Sequence, residues 1–221
     1  MPKQDFDFRL ALLRALAKDL RYLLNRGYHK GPALNFLANR WQLTSLEREI
    51  LTRAVFTKEE AIRRKKKRCL IKELKGQSLV VDGHNVLITV ESALRGLPVF
   101  LGDDGFVRDA SRLSRKFKKT AQTREALKAL REALAKLPLN QVIVYFDAPL
   151  SKSGELAAET RKLLGNQRFG LEVYTVPSAD LCLRKAPLIA TSDSALIDQA
   201  FKVFDLGAYT LKRLGLKPFK L

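Results

Sequence analysis

The stretch from Leu79 to Leu87 constrains the fold of this chain more than any other part of its sequence. Three apolar residues run directly into Asp82, and Gly83, His84 and Asn85 follow at once. A short apolar run bounded by turn residues is typical of a strand that is buried on both faces of a sheet. Ligands of open α/β sheets bind beyond the carboxyl ends of the strands, so Asp82 is a candidate site residue. The alternative is that Asp82 only caps the segment that follows.

Strands and helices alternate in the last third of the chain, which predicts an α/β fold with a mostly parallel sheet. Apolar runs at 141–146 and 188–191 lead into Asp147 and Asp193, and a third run at 171–176 precedes a short helix that carries Asp180. The carboxyl ends of parallel strands lie at one edge of the sheet. We therefore expect Asp82, Asp147, Asp180 and Asp193 to lie together at that edge.

Four carboxylates at one edge without matching bases repel one another unless a cation lies between them. Mg²⁺ and Mn²⁺ are the ions that such oxygen ligands prefer, and an ion held in this way can activate water for displacement at phosphorus. No set of Cys and His ligands favours zinc, and for the lone His84 packing or substrate contact is the better interpretation. The competing interpretation is that the aspartates are unrelated loop caps.

Residues 1–68 have a different pattern, which predicts a small all-helical domain ahead of a second domain at 69–221. Leucines recur at helical spacing between residues 12 and 24, Gly31-Pro32 opens a second helix, and capping-box patterns at Thr44 and Thr57 begin two more. The helices at 33–40 and 44–54, joined by a short turn, are also compatible with a helix-turn-helix. Sequence-specific DNA binding is therefore a weaker alternative.

The charge of the chain favours a polyanionic partner, most often nucleic acid. There are 41 Lys and Arg against 23 Asp and Glu, a formal net charge of +18. Residues 1–68 hold 17 of the basic and 7 of the acidic side chains, a net of +10, so this smaller part is the more densely positive. A general solubility charge is the alternative. No apolar run reaches the length of a membrane span, and Cys69 and Cys182 make no disulfide framework, so we expect a cytoplasmic protein with no membrane partner.

The segment between residues 87 and 118 is the least regular part of the sequence. Ile88, Thr89 and Val90 are β-branched, whereas 91–95 has helical character. Asp104-Gly105 between two apolar runs predicts a hairpin, and helices are predicted at 109–118 and 123–137.

Four motifs resemble, in their order along the chain, the motif series of PIN-like nucleases, and most closely that of the NYN branch. They are Val81-Asp82-Gly83-His84-Asn85-Val86, Tyr145-Phe146-Asp147-Ala148, Ser178-Ala179-Asp180 and Ala190-Thr191-Ser192-Asp193. The resemblance covers roughly residues 76–207. Residues 1–68, with Leu23-Leu24-Asn25-Arg26-Gly27-Tyr28, resemble a domain fused to PIN-like domains in uncharacterised prokaryotic proteins, which brings no established activity.

The resemblance implies a three-layer α/β/α fold, Mg²⁺ or Mn²⁺ as cofactor, and hydrolysis of RNA phosphodiester bonds. Asp82, Asp180 and Asp193 would be metal ligands, and Asn85 would orient the first of these or the substrate. Ser192 would add a polar contact, and Asp147 matches a family position near the site. Candidate contacts for the RNA are His84, Ser192, Arg108, Lys152 and the basic run 63–68.

Two departures from the family pattern keep an alternative open. The segment 88–108 is unlike a compact member, and Ala179-Asp180 supplies one acid where relatives often have two. Glu91, Asp104 and Asp109 remain open as a further acid. The alternative is a catalytically inactive PIN-like protein that binds nucleic acid or regulates. PIN-like domains often pair, which also leaves a homodimer open.

Overall fold

The computed structural model describes residues 3–110, 120–149 and 152–221, with the side chains of the first helix described from residue 9 onward. Its first part forms four helices: α1 (Lys3–Asn25), α2 (Lys30–Arg40), α3 (Ser45–Ala54) and α4 (Lys58–Lys66). Both predicted capping boxes are present. The Thr44 and Thr57 hydroxyls each accept the backbone N–H three residues on, and Glu47 and Glu60 accept the threonine N–H groups in return.

The leucines of these helices face inward, as predicted, and they form one buried cluster with Ile50 and Leu51 of α3. That cluster also contains Phe100 and Ala110 from the second part of the chain, so the helices share a core with it. Two aromatic residues of the predicted second helix do not join the core. Phe36 is 68% exposed and Trp41 is 45% exposed, because only Ala33, Leu37 and Ala38 lie on the buried face of α2.

A 3-10 turn at Ile71–Leu74 leads into the second part, in which strands and helices alternate. Its elements in chain order are β1 (Ser78–Asp82), α5 (Gly83–Leu94), β2 (Val99–Leu101), β3 (Val107–Asp109), α6 (Ala121–Leu134), β4 (Gln141–Asp147), α7 (Ser153–Leu164), β5 (Gly170–Val176), α8 (Ala179–Leu183), β6 (Leu188–Ala190), α9 (Ser194–Gln199), β7 (Lys202–Val203), α10 (Leu206–Arg213) and β8 (Phe219–Lys220).

The central sheet has five parallel strands in the order β5-β4-β1-β6-β7, which confirms the predicted α/β fold. Successive residues of β1 point to opposite faces. Leu79 and Val81 join a core with α5, α6, α7 and α10, whereas Val80 joins a smaller core with α8 and α9. The sheet is therefore covered on both faces. Within the described ranges, no helix is long and apolar enough to cross a membrane.

The irregular segment contributes β2 and β3 to a second, three-stranded sheet in the order β3-β2-β8, in which β8 is Phe219–Lys220. The predicted hairpin is confirmed, because β2 pairs antiparallel with β3. The helix predicted from Asp109 is wrong at its first residue, because Asp109 is the last residue of β3 and pairs with Val99 of β2. Residues 111–119 of that prediction lie outside the described residues. The β-branched residues Ile88–Val90 continue α5 and are buried there.

Two pairs of opposite charges lie where α4 meets the second part of the chain, and we call Arg64, Asp104, Arg108 and Asp198 the paired cluster. Arg108 binds both carboxylate oxygens of Asp104, at 2.8 and 2.7 Å, and Arg64 binds those of Asp198 at 2.9 and 2.6 Å. Arg64 also lies 3.5 Å from Asp104. Every carboxylate of this cluster thus has a guanidinium partner.

Candidate active site

Three of the four predicted aspartates lie at or just after a strand end, and the fourth lies in a helix that follows a strand. Asp82 and Asp147 are the last residues of β1 and β4. Asp193 follows β6 and is the N-cap of α9, and Asp180 lies in α8, directly after β5. We call Asp82, Asp147, Asp180 and Asp193 the acid edge.

Asp82 is the most buried member of the acid edge, with 7% of its surface exposed. Its Oδ1 accepts the Asn85 backbone N–H at 3.2 Å, and its Oδ2 accepts the Thr191 hydroxyl at 3.0 Å. Burial raises the pKa of Asp82 to about 7, and the charges of Asp147 and Asp180 add to the rise, while the two hydrogen bonds oppose it. In the described part of the chain, no Lys, Arg or His lies within 4.0 Å of this carboxylate.

The other acids are closer to solvent and are coupled to one another. Partial burial raises the pKa of Asp180, and the charges of Asp193 and Asp147 raise it further. Asp193 is exposed, and its Oδ1 accepts the backbone N–H groups of Ala195 and Leu196. Asp147 Oδ1 accepts the Ala179 N–H at 2.8 Å, which ties the end of β4 to the start of α8.

A hydrogen-bond network joins the exits of β1 and β6. Asn85 Oδ1 accepts both the backbone N–H and the hydroxyl of Ser192, at 2.8 and 2.9 Å. The Thr191 hydroxyl donates to Asp82 and accepts the N–H of Asp193 at 3.2 Å. Thr191 was not among the predicted site residues, although it stands inside the Ala190–Asp193 motif. Its role is visible only in the structure, where its hydroxyl contacts Asp82, which lies 109 residues earlier in the chain.

His84 lies beneath the acid edge as a buried residue, 4% exposed. Its Nδ1 accepts the backbone N–H of Asp147 at 3.2 Å, and its ring packs edge-on against Phe146 with centroids 5.0 Å apart. Burial lowers the pKa of His84, although the charge of Asp147 opposes this. The neighbouring Gly83 is required here, because a Cβ atom would lie 2.5 Å from the Phe146 ring and 2.8 Å from the Tyr145 carbonyl.

The predicted basic contacts are placed in three different ways. Arg108 is 1% exposed; it is bound to Asp104 and donates to the Ser192 carbonyl at 2.7 Å, so it is not a residue of the outer surface. Lys152 is exposed, with a left-handed backbone (φ 64°) before α7. In the 63–68 run, Arg64 is buried and Lys67 donates to the Ile197 and Asp198 carbonyls, whereas Lys65 and Lys66 are exposed.

The side chains of the acid edge offer the oxygen donors that a hard divalent cation prefers, and the charges of Asp147 and Asp180 act on the buried Asp82 carboxylate. Asp82, Asp180 and Asp193 are the residues that would hold such an ion. Among residues 3–110, 120–149 and 152–221, no three His, Cys, Asp or Glu side chains are arranged to hold a metal. The carboxylates would have to draw together on binding.

Comparisons with known proteins place the chain in a family. Residues 71–209 match the family described as "Domain of unknown function (DUF5616)", and residues 12–67 match "Protein of unknown function (DUF434)". The chain is 35% identical over 202 residues to "Uncharacterized protein MJ0935" of Methanocaldococcus jannaschii, and the match covers 90% of this chain and 97% of that protein. No solved structure matches the chain. The chain therefore belongs to the DUF5616 family.

Proposed function

We propose that this protein is a metal-dependent ribonuclease whose active site is the acid edge. The observation that carries the proposal is the Asp82 carboxyl group. It is buried at the carboxyl end of the central strand, and its pKa is raised to about 7. An uncompensated carboxylate of this kind is typical of functional sites rather than of structural ion pairs.

Asp82, Asp180 and Asp193 are the proposed ligands of Mg²⁺ or Mn²⁺. Such an ion, when bound, lowers the pKa of water and stabilises charge at phosphorus. The chain's own residues position the acids. Thr191 holds Asp82 through its hydroxyl, and the Asn85–Ser192 hydrogen bonds fix the two strand exits relative to each other. His84 fixes the backbone of Asp147, which in turn holds the start of α8.

RNA is the proposed substrate class on two grounds. The net charge of +18 favours a polyanion, and the four motifs at the acid edge resemble those of PIN-like nucleases. A reducing cytoplasm is the proposed location, in keeping with two cysteines, Cys69 and Cys182, that are both free thiols.

A calorimetric titration with Mn²⁺ tests the proposal, using the parent protein, Asp82→Asn and the control Asp19→Asn. Asp19 is an exposed aspartate of α1. We expect a binding event in the parent and in Asp19→Asn that is lost in Asp82→Asn. RNA cleavage should then require Mn²⁺ and disappear in the Asp82→Asn/Asp193→Asn double variant. The proposal fails if the double variant cleaves RNA as fast as the parent.

A nucleic-acid-binding protein without catalysis is the second candidate. It is favoured by the use of the acid edge as backbone acceptors, since Asp82, Asp147 and Asp193 each accept at least one main-chain N–H. Carboxylates that only hold loops need no ion. This candidate predicts RNA binding that is equal in chelator and in Mn²⁺, together with no heat of Mn²⁺ binding in the parent.

A further inference from the structure

A cavity of about 270 Å³ lies between the N-terminal helices and the acid edge. Four cationic side chains line it, against two carboxylates: Lys30, Arg53, Arg64 and Arg108 against Glu60 and Asp193. Asp193 belongs to both the cavity and the acid edge. A group bound in the cavity would therefore be adjacent to the proposed site of cleavage.

The four cations of the cavity are not equally satisfied. Arg64 and Arg108 belong to the paired cluster, where carboxylates already balance them. Among the residues that the structure describes, Lys30 donates to two main-chain carbonyls, those of Thr52 at 2.5 Å and Val55 at 2.6 Å. Within the described residues, no carboxylate lies within 4.0 Å of its ammonium group.

Arg53 is the second cation that lines the cavity outside the paired cluster. It donates to the Asp109 carbonyl at 2.7 Å, but its guanidinium is 3.8 Å from the carboxylate of the same residue. Because Lys30 and Arg53 are both partly buried, water screens their charges less than it screens those of exposed cations.

Three of the cationic groups at the cavity lie close to the buried ring of Phe56. Lys30 Nζ lies 4.2 Å from the ring centroid, and the guanidinium carbons of Arg64 and Arg108 lie at 4.3 and 5.2 Å. Burial lowers the pKa of Lys30 to about 8, Arg64 and Arg108 lower it further, and the charge of Glu60 opposes this. Outside the paired cluster, two cations, Lys30 and Arg53, thus line the cavity with two carboxylates, Glu60 and Asp193. The two carbonyl bonds of Lys30 leave one N–H of its ammonium group for an anionic ligand.

We propose that this cavity binds a phosphoryl group of the RNA strand whose neighbouring phosphodiester lies at the acid edge. Lys30 and Arg53 are the binding residues, and the Ser194 hydroxyl at the cavity wall is a further hydrogen-bonding group. The volume lies just below the range of ordinary ligand pockets, about 300–1,000 Å³, which is consistent with a group as small as a phosphoryl group. The choice of RNA as carrier rests on the proposed function; the choice of a phosphoryl group rests on the cavity alone.

This assignment gives the N-terminal helices a share in the substrate site. Lys30 begins α2 and Arg53 lies in α3, whereas Asp193 and Ser194 come from the strand-to-helix connection after β6. Helices α2 and α3 would thus bind the RNA strand that is proposed to be cleaved at the acid edge.

Fluorescence anisotropy in chelator tests the proposal, because binding is then measured without metal and without cleavage. Labelled RNA oligonucleotides with a 5′-phosphate and with a 5′-hydroxyl are titrated with the parent, with Lys30→Gln and with the control Lys162→Gln. Lys162 is exposed near the end of α7, a helix that packs on β5 and β4 and contributes no residue to the cavity. Its substitution therefore removes the same charge at a distant place.

We expect Lys30→Gln to weaken binding about tenfold, as for loss of one charged hydrogen bond, while Lys162→Gln stays within about twofold of the parent. A loss confined to the 5′-phosphorylated RNA identifies a terminal phosphate, and a loss for both RNAs identifies an internal phosphodiester. Equal affinities of Lys30→Gln and Lys162→Gln for both RNAs overturn the proposal.

A second measurement uses only the parent protein and does not depend on the folding of a variant. Inorganic phosphate should displace bound RNA at concentrations where chloride of the same ionic strength does not. Equal displacement by the two salts also overturns the proposal. Because both experiments omit metal, a protein that never cleaves RNA still gives a clear answer about the cavity.

Discussion

The acid edge and the paired cluster contain the same kind of residue in opposite electrostatic states. In the paired cluster, Asp104 is fully buried, and both of its oxygens are bound by Arg108. At the acid edge, the buried carboxylate of Asp82 accepts only a main-chain N–H and a hydroxyl. The first arrangement is complete within the chain, whereas the second leaves negative charge that the chain does not balance. The burial of an aspartate therefore indicates a functional site only where no cationic side chain balances its charge.

Removing a guanidinium from the paired cluster should have the largest effect. Arg108→Met leaves the Asp104 carboxylate buried without its main partner, and we expect the free energy of unfolding to fall by about 3–5 kcal/mol. Because the Arg64 guanidinium still lies 3.5 Å from the Asp104 carboxylate, we expect a loss closer to about 3 kcal/mol. Urea denaturation at pH 7 measures the change.

Two further variants check this reason. Lys128→Met breaks an exposed pair with Glu125 and should change stability by less than about 0.5 kcal/mol. Adding Asp104→Asn to Arg108→Met removes the buried charge and should restore part of the loss. If the free energy of unfolding of the single Arg108 variant falls by less than about 1 kcal/mol, Arg108 does not compensate a buried charge on Asp104, and the contrast with the acid edge is wrong.

The pH dependence of stability should reveal the uncompensated state of Asp82. In metal-free buffer its pKa is about 7 in the folded protein and about 3.9 in the unfolded chain. The folded state then binds the proton more tightly, so the stability from this group is complete below pH 4 and is lost as the pH rises through 7.

Asp82→Asn removes this contribution. The stability of the variant relative to the parent should rise by about 2–3 kcal/mol between pH 5 and pH 8, in chelator. Comparing the two proteins at each pH cancels the contribution of other groups such as His84, whose lowered pKa acts in the opposite direction. Parallel curves for parent and variant would show that Asp82 is compensated after all.

The neutral hydrogen bonds that hold the acid edge should contribute less. Asn85→Ala leaves the buried Ser192 N–H without its acceptor, and we expect a loss of about 1–2 kcal/mol. The control Asn39→Ala removes an exposed acceptor of Arg48 and should stay within about 0.5 kcal/mol. Chemical denaturation measures both, and equal effects would show that the Asn85–Ser192 link does not position the strand exits.

Local sequence patterns predicted the elements that carry the acid edge. The apolar runs before Asp82 and Asp147 form strands of the central sheet. β1 is buried on both faces, as its apolar run predicts, whereas buried and half-buried residues alternate along β4. The Thr44 and Thr57 capping boxes were equally readable, since each is complete within four residues. The hairpin at Asp104-Gly105 belongs to the same class of local signal.

What the sequence could not show is which charges meet. Arg108 was predicted to contact RNA, whereas in the structure it binds both carboxylate oxygens of Asp104, which lies in the hairpin turn four residues before it. Thr191 acts through Asp82, 109 residues away. The β-branched run in α5 was ambiguous for another reason. A helix buried on nearly every side loses its amphipathic period, so the β-branched residues Ile88, Thr89 and Val90 resemble a strand.

The smallest effect should come from the helix caps, and it tests whether the two charge clusters belong to one folding unit. Thr57 caps α4, which carries Arg64 into the paired cluster, and Thr44 caps α3, which carries Arg53 into the cavity. Thr57→Ala and Thr44→Ala should each lower stability by about 1 kcal/mol. Because the paired cluster joins α4 to the sheet domain, both variants should shift a single unfolding transition, followed by circular dichroism and by Trp41 fluorescence. A separate early transition in either variant would show that residues 1–68 unfold independently of the acid edge.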